Sequence, residues 1–105
     1  MNVVHYIVIE PKIIRVFQYI EERLSIKLDV GIVKRMLDEA ADINVEEKQY
    51  TFFVGQGSFL NKALHVSGSI EMHEPQTLLL IIENIRDKDA AALEEFLKSI
   101  YPIER

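Results

Sequence analysis

Six residues in the C-terminal half of the chain, Thr77-Leu78-Leu79-Leu80-Ile81-Ile82, restrict its fold more than any other stretch. Five of the six are large and aliphatic, so the segment has no polar side to turn toward water. It follows a turn-like His73-Glu74-Pro75-Gln76. A short apolar run after a turn reads as the central strand of a sheet, with both of its sides covered. The cover must come from helices or from a partner.

What surrounds this strand follows from the rest of the chain. At 105 residues the chain fits one domain spanning 1–105 and can bury roughly 65% of its unfolded surface. With 49% hydrophobic and 28% charged residues, the composition is that of a folded globule. Residues 3–9 (Val3-Val4-His5-Tyr6-Ile7-Val8-Ile9) are nearly all apolar, and β-branched or aromatic residues dominate. They predict a first strand. This stretch lacks a basic region before it and a small-residue cleavage site, and Glu10-Pro11 closes it. It reads as part of the mature protein and not as a signal peptide.

Pro11 suits the first turn of a helix. From there Ile13, Val16, Phe17, Ile20 and Leu24 recur at helical spacing, giving a helix of about four turns. Asp29 is positioned to cap a second helix from Val30 to about Ile43, with Val33, Met36, Leu37 and Ala40 as its apolar stripe. Tyr50-Thr51-Phe52-Phe53-Val54 predicts a second strand, punctuated by Gly55-Gln56-Gly57-Ser58. From residue 64 onward apolar side chains fall on even positions (Leu64, Val66, Ile70, Met72) and polar ones on odd positions (His65, Ser67, Ser69, Glu71, His73). This alternation predicts a half-buried third strand. Residues 58–63 break the parity, through a bulge or a short helical turn. Asp87 or Asp89 caps a last helix running to about Tyr101, with Leu93, Phe96, Leu97 and Ile100 inward.

The expected order is β-α-α-β-β-β-α. The last three strands are joined too tightly for parallel crossovers. The expected class is therefore α+β: a two-layer, mostly antiparallel sheet of about four strands packed against helices. The first strand joins at an edge or beside the central strand. Helices can cover only one side of such a sheet. The polar row on the third strand leaves the other side partly wet, beside an apolar central strand. A second copy of the chain would close that side, so a homodimer is expected.

Charge and composition narrow the function classes. The net charge is −5, from 17 acidic and 12 basic residues with the signs interspersed. Such a surface repels polyanions, so neither a nucleic-acid nor an anionic-membrane partner is expected. No stretch approaches the ~18 apolar residues of a membrane span. The absence of cysteine excludes disulfides, thiolate metal sites and cysteine nucleophiles, and it fits a cytoplasmic location.

His65, Glu71 and His73 share one side of the third strand and are candidate ligands for a divalent metal or a small molecule. However, His65 lies about 20 Å from Glu71 at the usual strand rise. A full site would need donors from elsewhere, such as His5. The pair of short helices could form a helix-turn-helix, but the second presents Asp38, Glu39 and Asp42 beside Lys34 and Arg35, poor material for a major groove. Gly55-Gln56-Gly57 lacks the context of a dinucleotide or P-loop motif and reads as a turn. No nucleophile elbow is present; Ser67-Gly68-Ser69 lies within an alternating strand. No cofactor or catalytic constellation is expected, and the chain leans away from an enzyme. The leading expectation is a protein–protein interaction or regulatory module, with Tyr6, Tyr50, Phe52 and Phe59 as contact residues.

Overall fold

A computed structural model describes residues 2–40, 48–56, 63–71 and 77–101. Its elements are β1 (Val3–Val8), α1 (Ile13–Leu24), α2 (Val30–Ala40), β2 (Gln49–Gln56), β3 (Ala63–Glu71), β4 (Thr77–Glu83) and α3 (Asp87–Ile100). Class and element order are those expected from the sequence. The expected features at residues 57–62, at Met72–Gln76, beyond Ala40 in the second helix, and at Phe59 and His73 lie outside the described residues.

The four strands form one antiparallel sheet in the order β1-β4-β3-β2. The aliphatic run is therefore an interior strand, as its lack of a polar side requires. β1 occupies an edge and is also the neighbour of β4, pairing Val3 with Ile82 and Tyr6 with Leu79. Alternation sorts the side chains of every strand onto two sides. Val3, Ile7, Leu64, Val66, Ile70, Leu78, Leu80 and Ile82 all point to the helix layer and are 0% exposed. Gly68 shares that side by its pairing with Leu80 and has no room for a side chain, since an added Cβ would meet Leu78 Cδ1 at 2.7 Å and the Leu79 carbonyl oxygen at 3.1 Å. Overlap at those distances forces neighbouring atoms to move.

α1 buries the stripe read from its spacing: Ile13, Val16, Phe17, Ile20 and Leu24. The Phe17 ring tilts against Phe52 at 5.0 Å between centroids, fixing α1 over β2. Tyr19 stacks on Phe96 at 4.0 Å, joining α1 to α3. α1 ends at Ser25, in the left-handed region at φ 52°. As expected, Asp29 caps α2: its Oδ1 accepts from the Ile32 N–H at 3.2 Å.

The start of α3 differs from expectation. Its N-cap position is Arg86, and no side chain caps it. Asp89 lies in the first turn, 3% exposed, where Arg23 Nε and Arg86 Nε each donate to one of its oxygens at 2.9 Å. Two guanidinium donors offer a carboxylate more than a backbone N–H can. Asp89 therefore ties the end of α1 to the start of α3.

The shortest dimension of the molecule is 19 Å, which has room for a sheet and one helix layer. The expectation that β4 is shielded on both sides thus holds on one side only. Leu79 and Ile81 are half-buried by their neighbours within the sheet.

Candidate functional site

The side of the sheet away from the helices is the distinctive surface. Strand register builds it from rows of directly opposed residues. One row runs Val4–Ile81–Ser67–Thr51, the next Tyr6–Leu79–Ser69–Gln49. Neither row carries a charge. Ionisable residues fall at one end, where His65 pairs with Glu83 in register. The surface also divides along the other axis. Its β1–β4 half is apolar, with Val4 57% and Tyr6 60% exposed. Its β3–β2 half presents hydroxyl and amide groups, with Val54, 66% exposed, opposite His65 at one end.

A shallow depression of about 160 Å³ lies in the polar half, lined by Gln49, Thr51, His65, Ser67, Ser69 and Ile81. It is smaller than the roughly 300–1,000 Å³ of typical small-molecule pockets. On the helix layer, a groove of about 190 Å³ runs between α1 and α2 past Ile14, Phe17, Leu28, Val30 and Val33.

The expected metal ligands separate as follows. His65 Nδ1 lies 3.5 Å from Glu83 Oε1, a pair supplied by the adjacent strand. Glu71 sits six residues further along β3, while His73 falls outside the described residues. His5 cannot complete a set with His65. It pairs in register with Leu80 on the helix side, so the sheet stands between the two imidazoles. Burial against the helix layer pushes the His5 pKa down; Glu94 opposes this and Lys98 adds to it. Among the described residues, no three His, Cys, Asp or Glu side chains come together as a metal site would need.

The expected contact aromatics also divide. Tyr6 lies on the open side. Tyr50 and Phe52 are core residues, 4% and 2% exposed, because Tyr50 pairs with the helix-side Gly68 and Phe52 lies two residues on, at the same parity. The Tyr50 hydroxyl donates to Glu39 Oε2 at 2.6 Å, and Lys48 Nζ approaches the same oxygen at 2.8 Å. Burial and the Glu39 carboxylate raise the Tyr50 pKa. Lys48 and then Tyr50 hold the Glu39 carboxyl below the usual carboxylate range. This cluster fastens α2 to β2.

Sequence reasoning missed Val4, Leu79 and Ile81 as surface residues. In the wholly apolar run Leu78–Ile82 parity carries no signal, and in β1 the polar His5 faces inward. Only the partner strand tells which residues face out.

Basic groups do not gather on α2 as a nucleic-acid site would require. Arg35 lies 3.9 Å from Glu39, and the exposed Lys34 and Arg35 share the helix with Asp38. No described helix is long and apolar enough to cross a membrane. No protein-family model matches the chain, and comparison with curated proteins and with solved structures finds no match.

Proposed function

We propose that the protein is a protein–protein contact module that works as a homodimer through the apolar β1–β4 half of its sheet. One observation carries this reading: two charge-free rows cross all four strands, and no described helix lies over the apolar half of that surface. Contiguous apolar surface framed by polar groups marks association sites in soluble proteins. A second copy is the simplest partner, because a two-fold operation brings the same patch against itself and closes the assembly.

Light scattering over a dilution series tests the reading. The expected result is a dimer mass at roughly 50 µM that falls toward the monomer on dilution, as suits an interface of small to standard size. A monomer mass throughout the series would refute it.

A further inference from the structure

The two margins of the sheet are built differently. At β2 the strand is interrupted by the register shift between Thr51 and Phe53. Its outward Phe52 carbonyl accepts from the Asp29 N–H at 3.1 Å. Bulges and covering segments of this kind keep an edge from pairing with another chain. β1 has neither. Its six residues, Val-Val-His-Tyr-Ile-Val, contain no proline, lysine or bulge. Alternate residues of an antiparallel strand direct N–H and C=O away from the neighbour. Among the described residues, no hydrogen bond reaches those outward groups of β1. The two open-side residues most exposed in the apolar half, Val4 and Tyr6, stand on this same strand.

We propose that two copies of the chain join β1 to β1, antiparallel, with the two-fold axis at Tyr6, making one continuous eight-stranded sheet from two four-stranded ones. This rests on the self-association reading above and places the contact at the outer edge of that apolar half. The register follows from symmetry. Directly opposed residues share a side of the sheet, and a two-fold axis perpendicular to the sheet keeps both helix layers on one side. Such pairing is centred on a residue, never between two. The middle residues of β1 are His5 and Tyr6. Centring on His5 would oppose two half-buried imidazoles on the helix side, already beside Glu94 and Lys98 of α3. Centring on Tyr6 opposes the two phenol rings where there is room, and sets Val4 against Val8 of the other copy. Aromatic and β-branched pairs of this kind are the favourable ones across strands. No like charges meet. The partner is a second copy because β1 is complementary to itself at this register.

The chain has no cysteine, so single cysteines report contacts between copies cleanly. Tyr6→Cys, Val4→Cys and Leu79→Cys are compared by the rate of disulfide-linked dimer formation under mild oxidation. At the Tyr6-centred register the two introduced Cβ atoms stand about 4.5–5.5 Å apart, within disulfide reach. A cysteine at position 4 would lie about 13 Å from its copy. Tyr6→Cys should therefore cross-link at least about tenfold faster than the other two. The double variant Val4→Cys/Val8→Cys gives a second check, since those positions oppose each other and should link as fast as Tyr6→Cys. Faster linking of Leu79→Cys in a protein that is dimeric would show sheets stacked face to face. That result overturns the edge pairing and leaves self-association standing. A wild-type chain that stays monomeric in light scattering removes both.

Discussion

Leu79 and Leu80 are neighbours in the chain and occupy opposite worlds. Leu80 is 0% exposed beneath the helix layer. Leu79 stands on the bare side, half-buried only by the strands beside it. The same residue type does structural work on one side of the sheet and is left for contact on the other. The lesson is that an all-apolar strand does not imply two covered sides within one molecule. Where helices cover only one, the remaining apolar surface is the feature that needs a partner.

The sharpest break between the two sides is in stability. Leu80→Ala should cost about 2–5 kcal/mol, because it removes buried methyl groups and leaves a cavity. Leu79→Ala, measured in dilute protein, should cost only about 1 kcal/mol, since much of that side chain is already near water. Urea unfolding of both variants checks this; equal costs would erase the distinction between the sides.

A smaller effect sharpens the helix side. Asp89→Asn removes the charge that joins Arg23 and Arg86 across α1 and α3. The expected loss is about 2 kcal/mol, below the range for fully buried pairs because both guanidinium groups remain partly exposed. Thermal unfolding reads it, and an unchanged midpoint would mean that the pair does not hold the helices together.

The smallest effect is pH-dependent. The Glu39 pKa is lowered in the folded chain by Lys48 and Tyr50. A carboxylate with a depressed folded pKa contributes stability that is present above its unfolded pKa, near 4.5. That stability is lost as pH falls through the lower folded value. Glu39→Gln should therefore be less stable than wild type at neutral pH, with the difference closing below the usual glutamate range. Melting temperatures along a pH series check it; a gap that stays constant would assign Glu39 no electrostatic role.

Most of the fold was legible because its signals are periodic. Ile13, Val16, Phe17, Ile20 and Leu24 mark a buried helix stripe, and the even positions Leu64, Val66 and Ile70 mark the inner side of β3. The candidate surface was legible only in outline. The polar row of Ser67 and Ser69 shows that one side is wet, but in Val3–Val8 the one polar residue, His5, points to the helix layer and so marks the wrong side as outward. Of the aromatics, Tyr6 faces outward only because its partner is Leu79 and not Leu80. Tyr50 and Phe52 turn inward by their alternation with the outward Gln49 and Thr51. Asp87 and Asp89 both suit a cap by their place at a helix start. The two arginine partners of Asp89 come from α1 and from the residue before α3, and only folding brings Arg23 there.

The most direct test places a charge at the centre of the bare apolar half without touching the core. Tyr6 is 60% exposed, so Tyr6→Lys should leave the melting temperature of dilute protein unchanged. In sedimentation velocity at roughly 50 µM, the wild type should run as a dimer and the variant as a monomer. A variant that sediments like the wild type would show that this surface is not where copies meet.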